Sequence, residues 1–473
     1  MSNLIIWNTM HSPNSFQRAS RPAGPHILAQ WLIQFGFTVK VIDFCSGMLT
    51  DDLVTITKKH IDSTTIAIGV SSTFWDVNAR ANIDSKSPAS SFQLHAVPAP
   101  AWVVAARSLI ESSFPNLDWI LGGANSDAPL TNTWLRFHQN PEDQLRKYLD
   151  EKLSLNRKHI PFNILTNTGT YMDNLGIRSG EVLGLEWGRG CQFRCRFCRY
   201  KSIGKEKNTY LRNPDIIRQD LILNYEKYGT TRYMYVDDTT NESIEKIESM
   251  VRVAQSLPFQ VEWVGYGRLD LIGSNQSTIN LLRDSGLRSM YFGIESFNRE
   301  ASKLVGKGWN GVHGKEFLLE LKHHWRGEVN FHTSFIVGLN PETPEEIDDT
   351  LNWCLQNNMD SWQFLPLSVT SIPLLDSSEF DRRCAEFGYI FPDPALPNNW
   401  VNGQWNSALA SSKAAELNLS FKFTTPAAFF LSDVASINGN AFKEIMGKSA
   451  DMAQLFIKSE QIINDYVKYQ LSI

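Results

Sequence analysis

The stretch VLGLEWGRGCQFRCRFC, residues 182–198, places three cysteines within eight positions directly after a short apolar run. The apolar run has the composition of a buried strand, and the glycines and arginines behind it mark the loop that follows. A barrel of alternating strands and helices carries its chemistry in the loops at the carboxyl ends of its strands. The position of Cys191, Cys195 and Cys198 therefore indicates a functional site.

Five further strand-like stretches follow, separated by helical stretches such as 214–229 and 243–257. They are YMYVDDTTN (233–241), VEWVGYG (261–267), SMYFGIES (289–296), VNFHTSFIVGLN (329–340) and SWQFLPLS (361–368). Repeated strand–helix units of this length predict a parallel α/β barrel. Because six strands are recognisable and not eight, we expect a partial barrel over residues 181–385.

The last part of the chain, residues 386–473, loses this alternation and is mostly helical in pattern. We expect it to cap the barrel mouth. Trp400 and Trp405 lie in this region, and the hydrophobic core is the expected place for both side chains.

A second alternation precedes the barrel. Its strand-like pieces are LIIWN (4–8), TVKVIDF (38–44), TTIAIGVSS (64–72), LDWILGG (117–123) and TWLRF (133–137), with helical pieces at 24–36 and 102–113. Continuous apolar strands between amphipathic helices indicate a doubly wound, Rossmann-like parallel sheet. We place this domain at residues 1–150 and a linker at 151–180.

Ligands of such a domain are expected at the carboxyl ends of its strands, near SSTFW (71–75) and GGANSD (122–127). Both stretches also suit ordinary tight turns. The segment 82–100 is rich in Ser, Pro and Ala, which indicates an inserted loop.

The composition is that of a globular protein. The 473 residues are 42% hydrophobic and 20% charged, and the formal net charge of −5 provides no general attraction to nucleic acid or anionic lipid. The N-terminus lacks a basic start followed by an apolar stretch, and no run of about 18 apolar residues occurs. We therefore expect a cytoplasmic protein without a membrane segment and without general nucleic-acid binding.

Three clustered thiols allow two kinds of metal site. A structural zinc site closes with four ligands, so zinc would need a distant fourth ligand here. An iron–sulfur cubane held by three thiolates keeps one iron open for chemistry. The other cysteines, Cys45, Cys354 and Cys384, occur singly in apolar or amphipathic surroundings, which favours buried, unreactive thiols.

The spacing C-x3-C-x2-C, with Phe197 before the last cysteine, resembles the radical S-adenosylmethionine (SAM) superfamily. The resemblance implies a [4Fe-4S] cluster on Cys191, Cys195 and Cys198, with SAM on the open iron. It also implies an external electron donor such as flavodoxin or ferredoxin, and cleavage of SAM to a 5'-deoxyadenosyl radical. The cofactor supplies this chemistry, and the protein supplies orientation and exclusion of water and oxygen.

The same resemblance extends over roughly residues 180–370 and implies SAM-binding residues. Asp237 and Asp238 would contact the SAM amino group, Arg268 the carboxylate, and Glu295 the ribose hydroxyls. From the residues alone, the aspartate pair also suits a helix N-cap and Arg268 a surface salt bridge. FIVGLNPET (335–343) is similar to a late-strand turn of the family, although Asn340 departs from the commoner Gly or Pro.

The N-terminal domain resembles the cobalamin-binding domain that precedes the barrel in one branch of this superfamily. The matching pieces are 21–43, GVSS (69–72) and LGGANS (121–126). The Asp-x-His-x-x-Gly signature that supplies a histidine to cobalt is missing, and NPED (140–143) replaces an acidic turn. The domain therefore either binds cobalamin without that histidine, or is vestigial or binds substrate.

These features predict a radical SAM enzyme, specifically a cobalamin-dependent methyltransferase acting on an unactivated carbon of a small molecule or peptide. One SAM would generate the radical and another would methylate cobalamin. The alternatives are a cobalamin-independent rearrangement, cyclisation or epimerisation, and a non-catalytic iron–sulfur or zinc scaffold. No residue is a convincing lower cobalt ligand, because His11 lies in a loop without the histidine signature.

Overall fold

The structure is a computed structural model, and it describes residues 3–9, 21–71, 100–122, 134–137, 141–198, 209–307, 311–371, 377–419 and 452–473. Several expectations lie outside these residues: His11, segment 82–99, and most of the stretches SSTFW and GGANSD. No helix in the described ranges has both the length and the apolar character needed to cross a membrane.

The N-terminal part contains a parallel sheet with the strand order β2-β1-β3-β4-β5. Its strands are β1 (Leu4–Trp7), β2 (Val39–Ile42), β3 (Ala67–Ser71), β4 (Asp118–Gly122) and β5 (Trp134–Phe137). Its helices are α1 (Ala23–Ile33), α2 (Thr50–Lys59), α3 (Ala101–Glu111) and α4 (Pro141–Lys152). The strand order reverses between β1 and β3, which opens a crevice at their carboxyl ends, where ligands of such sheets bind.

The second sheet is also parallel, and its six strands follow each other in sequence order. They are β6 (Leu183–Leu185), β7 (Arg232–Tyr235), β8 (Glu262–Gly267), β9 (Leu287–Glu295), β10 (Asn330–Val337) and β11 (Ser361–Pro366). No pairing joins β11 to β6 within the described residues, so the barrel is partial. The expected fold class, a doubly wound sheet followed by a six-stranded partial barrel, is confirmed.

The helices of the second part connect and cover these strands. They are α5 (Pro214–Tyr228), α6 (Ile244–Ser256), α7 (Leu269–Ser274), α8 (Thr278–Asp284), α9 (Arg299–Val305), α10 (Gly311–Trp325), α11 (Pro344–Gln356), α12 (Glu379–Arg382) and α13 (Ser407–Leu419). Local sequence determines where they begin. In α11, the Thr343 hydroxyl and the Glu346 carboxylate form a reciprocal capping box, and Pro344 occupies the first helical turn.

The two sheets share one hydrophobic core. This core includes Leu4 and Leu32 of the first part together with Leu183 and Tyr233 of the second. Contact is closest where α1 begins beside β6: a Cβ on Gly184 would lie 2.9 Å from the Cβ of Ala23. Only glycine allows this approach, so the start of α1 packs directly against the first barrel strand.

A buried ionic network also joins the two parts. Arg21 pairs with Asp43, which follows β2, and its Nε donates to Glu181 at 2.6 Å, just before β6. His26 lies 2.9 Å from the other oxygen of Asp43. Burial by itself raises the pKa of Asp43, but the charges of His26 and Arg21 outweigh this and hold it well below its usual range.

The final helix, α14 (Met452–Ser472), departs from the expectation of a cap over the barrel mouth. Its buried face joins the core of the N-terminal sheet through Ile463 and Val467. Tyr466 packs edge-on against Phe44 and accepts a hydrogen bond from the backbone N–H of Asp43. The helix has an apolar stripe that can be buried on either sheet, and the sequence does not indicate which one it contacts.

Residues around Trp400 and Trp405, earlier in the C-terminal region, do contact the barrel. Trp400 and Trp405 are both buried, as expected for core residues. The indole of Trp400 donates to the carbonyl of Leu367 at 3.2 Å, and that of Trp405 donates to the carbonyl of Glu342 at 2.6 Å. Both contacts lie just beyond the carboxyl ends of β10 and β11.

Candidate active site

One cavity of about 580 Å³ lies between the N-terminal sheet and the barrel. Its N-terminal wall consists of the start of α1 and the end of β3, through residues such as Arg21, Gly24 and Ser71. Its barrel wall carries all three clustered cysteines, Lys307 just after α9, and residues from the ends of four strands, among them Glu186, Asp237, Asp238, Arg268 and Gly293. The cavity therefore lies where both halves of the fold place their ligand-binding loops.

The three cysteines lie in the loop after β6, as expected. Cys191, Cys195 and Cys198 are half-buried free thiols, and all three line the cavity. The backbone N–H of Cys198 donates to the carbonyl of Cys195 at 3.1 Å, and the N–H of Arg196 donates to the carbonyl of Val305 at 3.0 Å. These contacts fix the loop so that soft sulfur ligands face one space.

These donors fit an iron–sulfur cubane. Three thiols on one wall match the number of protein ligands that leaves one iron open. Across the described ranges, no group of three His, Cys, Asp or Glu side chains converges tightly enough to hold a single metal ion. A cubane spreads its thiolates over several irons and so does not require them to converge on one centre.

The loop after β7 supports the cysteine loop. The Thr239 hydroxyl lies 3.3 Å from the Cys191 sulfur, and the side-chain amide of Gln192 donates to the carbonyl of Glu242 at 3.0 Å. The Thr239 carbonyl accepts a hydrogen bond from Lys246 at 3.3 Å. The position of the first cysteine therefore depends on a loop 48 residues further along the chain.

Asp237 and Asp238 are adjacent in sequence but have different environments. Asp237 is buried, pairs with Lys246 at 2.6 Å and accepts a hydrogen bond from the backbone N–H of Trp187 at 2.8 Å. Asp238 is exposed and lines the cavity. The structure thus buries one aspartate against Lys246 and leaves the other exposed at the cavity.

Lys246 is a residue that sequence analysis missed. Its ammonium is 2.6 Å from Asp237 and 3.0 Å from Glu242, and all three side chains are buried. Burial by itself lowers the pKa of Lys246, but the charges of the two carboxylates outweigh it and raise that pKa. A lysine in the first turn of an amphipathic helix ordinarily faces solvent, so its sequence gave no signal of burial.

Arg268 lies at the end of β8 beside the cysteine loop. Its Nε and Nη2 donate to Asp270 at 3.0 and 2.6 Å, which forms a largely buried salt bridge and not the surface one considered from the sequence. Its Nη1 donates to the Cys195 sulfur at 3.3 Å. Burial by itself lowers the pKa of Arg268, but the hydrogen bonds and charge of Asp270 outweigh it and raise that pKa.

Glu295 ends β9 in a left-handed backbone conformation, with φ 69°. Its carboxylate is buried and pairs with Lys307 at 2.6 Å, and the same ammonium donates to the Gly293 carbonyl at 2.6 Å. A Cβ on residue 293 would lie 2.5 Å from that carboxylate, which explains the glycine in FGIES. A residue other than glycine persists in this conformation only where the surrounding structure holds it, so the position of Glu295 is fixed by its neighbours. Lys307, which sequence analysis also missed, lines the cavity.

Glu342, in the turn after β10, is another buried acid that sequence analysis did not single out. Its Oε1 accepts a hydrogen bond from the Ser296 hydroxyl at 2.5 Å, and its Oε2 is buried without a hydrogen-bond partner in the described structure. Burial raises the pKa of this carboxyl to about 8. The group is therefore largely neutral at pH 7, and it links the ends of β9 and β10.

Residues 185–354 match the sequence profile of the Radical SAM superfamily. The matched segment begins in β6, includes the three cysteines and ends in α11. The chain carries a radical SAM domain. Radical SAM enzymes use a [4Fe-4S] cluster and SAM, and the three cavity-lining thiols fit that cluster.

Among curated proteins, an uncharacterized methyltransferase of Pyrococcus horikoshii is 25% identical over 190 residues. The match covers 40% of this chain and 39% of the relative, so it spans about two fifths of the relative's length.

Two solved structures share the architecture over almost the whole chain. OxsB, a cobalamin-dependent SAM radical enzyme solved with aqua-cobalamin and SAM, has a TM-score of 0.61 at 12% identity, covering 99% of this chain and 79% of its own. TsrM is a radical SAM methyltransferase from Kitasatospora setae solved with cobalamin and a [4Fe-4S] cluster. It has a TM-score of 0.57 at 14% identity, and the match covers 98% of this chain and 99% of the TsrM chain. At these identities the likeness shows a common fold.

Proposed function

We propose that this radical SAM enzyme is a cobalamin-dependent methyltransferase that acts on an unactivated carbon of a small molecule or peptide. The observation that carries the proposal is the cavity, which has the cluster cysteines on one wall and the start of α1 and end of β3 on the other. A methyl carrier on the N-terminal wall would face the thiol-bound cluster across this space. The shared architecture with OxsB and TsrM, both solved with cobalamin, supports the same arrangement.

The N-terminal wall fits a flat ligand. Pro22, Ala23, Gly24 and Pro25 line it with little side-chain bulk, and a Cβ on Gly24 would meet no atom within 4 Å. The described wall offers cobalt no histidine: His26, on the same helix, is buried with its Nε2 against Asp43. Bound here, cobalamin would supply a methyl carrier, and the described residues of this wall would hold it without offering an imidazole.

The barrel wall binds and orients SAM in this proposal. Asp238, exposed at the cavity, accepts hydrogen bonds from the SAM ammonium, while Asp237 holds the loop through Lys246. Glu295 accepts hydrogen bonds from the ribose hydroxyls, and the ion pair with Lys307 holds its carboxylate in position. The [4Fe-4S] cluster supplies the electron that cleaves the SAM sulfonium bond, and an external donor of the flavodoxin or ferredoxin class must replace it.

Labelled SAM tests this proposal. Anaerobically reconstituted protein is supplied with hydroxocobalamin, a chemical reductant, methyl-deuterated SAM and a library of candidate substrates. We expect a product three mass units heavier than its unlabelled counterpart, together with retained corrin. The Cys195→Ala variant, loaded identically, is the matched control and should form no such product.

Other outcomes contradict parts of the proposal. Formation of 5'-deoxyadenosine without corrin retention or methyl transfer would indicate the cobalamin-independent rearrangement, cyclisation or epimerisation. Absence of SAM cleavage under all conditions would indicate a non-catalytic scaffold.

A further inference from the structure

Arg268 is held in one orientation by four neighbours. The carboxylate of Asp270 accepts hydrogen bonds from Nε and Nη2 of Arg268, which forms a two-point salt bridge. The guanidinium carbon lies 4.1 Å from the centre of the Phe193 ring. The side chain of Asn241 accepts from the Arg268 backbone N–H at 2.8 Å and donates to its carbonyl at 2.9 Å. The remaining nitrogen, Nη1, donates to the Cys195 sulfur at 3.3 Å.

This arrangement directs positive charge at a cluster ligand. A two-point pair with a carboxylate fixes a guanidinium more firmly than a single contact does, and stacking on an aromatic face restricts it further. Only 9% of the Arg268 side chain is exposed, so water screens the contact weakly. The Arg268 guanidinium therefore places a fixed positive charge in direct contact with the Cys195 sulfur.

We propose that Arg268 is a redox-tuning residue, whose hydrogen bond to the Cys195 sulfur raises the reduction potential of the cluster that this cysteine binds. The inference rests on the [4Fe-4S] cluster of the proposed function. One-electron reduction adds negative charge to the cluster and its thiolates, and a cationic N–H donor stabilises that added charge. Hydrogen bonds to the sulfurs, net charge and solvent exposure are among the factors that set the potentials of such clusters.

The electron in this step comes from an external low-potential donor of the flavodoxin or ferredoxin class. It enters the cluster without forming or breaking a covalent bond, and Arg268 keeps its proton throughout, since guanidinium does not deprotonate in proteins. A higher cluster potential makes this transfer more favourable. The resemblance instead implies that Arg268 binds the SAM carboxylate, and the two roles differ in whether removing Arg268 affects the cluster in the absence of SAM.

The test is a redox titration of reconstituted, full-length protein without SAM, followed by electron paramagnetic resonance of the reduced cluster. We expect Arg268→Met to move the midpoint potential to more negative values than wild type. Arg268→Lys, which keeps a charge but not the planar fork, should lie between the two. The SAM affinity of the same variants, measured separately, shows whether Arg268 also contacts SAM.

Arg196 offers a matched control on the same loop. Its Nη1 donates to the Leu304 carbonyl at 3.1 Å and its guanidinium lies 5.8 Å from the Phe387 ring centre. Arg196→Met removes the same charge beside Cys195, and we expect a smaller shift than for Arg268→Met because the Arg196 side chain is 40% exposed.

A second measurement does not depend on a variant loading its cluster. Wild-type protein containing ¹⁵N-arginine should show a nitrogen coupled to the reduced cluster in pulsed paramagnetic resonance, and Arg268→Lys should lose it. An Arg268→Met potential equal to that of wild type, or no arginine coupling in wild type, would overturn the inference while leaving the cluster assignment intact. Failure of wild type to load any cluster would instead refute the proposed function.

Discussion

The ammonium of Lys246 lies 2.6 Å from the carboxylate of Asp237, and about 1% of each side chain is exposed. This pair connects α6 to the end of β7, and the Lys246 ammonium also donates to the carbonyl of Thr239, whose hydroxyl is in contact with Cys191. A buried charge pair thus supports the loop that contacts Cys191, the first of the proposed cluster ligands. Desolvation offsets much of the Coulomb attraction in such a buried pair. The pair therefore acts mainly by fixing the positions of the groups around it.

Lys246→Met should strongly destabilise the protein. It leaves the buried carboxylates of Asp237 and Glu242 without their cation, and breaking one side of such a pair typically costs about 3–5 kcal/mol. Chemical denaturation of the metal-free protein measures the free energy of unfolding. Lys227→Met, which removes the exposed pair with Asp173, is the matched control and should cost at most about 1 kcal/mol. Equal losses in the two variants would contradict a structural role for the buried pair.

The three clustered cysteines should each be required for cluster binding and SAM cleavage, whereas Cys384 should not. Alanine at Cys191, Cys195 or Cys198 should abolish both the cluster absorbance and the production of 5'-deoxyadenosine, because each removes one of the three thiolates that line the cavity. Cys384, a half-buried thiol outside that group, serves as the control, and Cys384→Ala should retain both signals. A fully active alanine variant at any of the three positions would refute the ligand assignment.

The two adjacent aspartates should respond differently to the same substitution. Asp238→Asn should weaken SAM binding roughly ten- to a hundredfold, since a hydrogen bond to a charged group contributes about 1.5–3 kcal/mol, with little change in stability. Asp237→Asn should mainly lower the free energy of unfolding, because Asp237 pairs with Lys246. Calorimetric SAM titration and denaturation of both variants separate the effects. If only Asp237→Asn weakened SAM binding, and did so without a loss of stability, Asp237 and not Asp238 would be the residue that binds SAM.

Glu295→Gln should also weaken SAM binding roughly ten- to a hundredfold and leave the iron content unchanged, because the proposed partner of this carboxylate is the ribose and not the cluster. Lys307→Met should also weaken SAM binding, since it removes the cation that lies 2.6 Å from the Glu295 carboxylate. SAM titration together with iron analysis measures both properties. Unchanged SAM affinity in Glu295→Gln would place the ribose elsewhere.

Stability should fall with rising pH because of Glu342. Burial raises the pKa of its carboxyl in the folded state from 4.5 to about 8, so the folded protein binds a proton that the unfolded chain releases above pH 4.5. The contribution is complete below pH 4.5 and is lost as pH rises towards 8, with a slope of at most about 1.4 kcal/mol per pH unit. Denaturation between pH 5 and 8 should show this slope in wild type and a smaller one in Glu342→Gln. Glu345→Gln, at an exposed position in the first turn of α11, should keep the wild-type slope.

The sequence by itself determined the order of elements and singled out the three cysteines that we propose as cluster ligands. Strand periods and strand–helix alternation depend on neighbouring residues, so the doubly wound sheet and the six barrel strands could be predicted from local patterns. The spacing of Cys191, Cys195 and Cys198 is equally local, because one loop holds all three.

The tertiary structure decided which charged groups are buried and what they contact. Asp237 and Asp238 have the same chemistry in sequence, but the packing of α6 buries one against Lys246 and leaves the other at the cavity. Arg268 meets Cys195 from 73 residues away, and α14 packs on the first sheet although its sequence follows the barrel. Such contacts arise from how elements distant in the chain pack together, and the free energy of burying a charge depends on partners that no local pattern specifies.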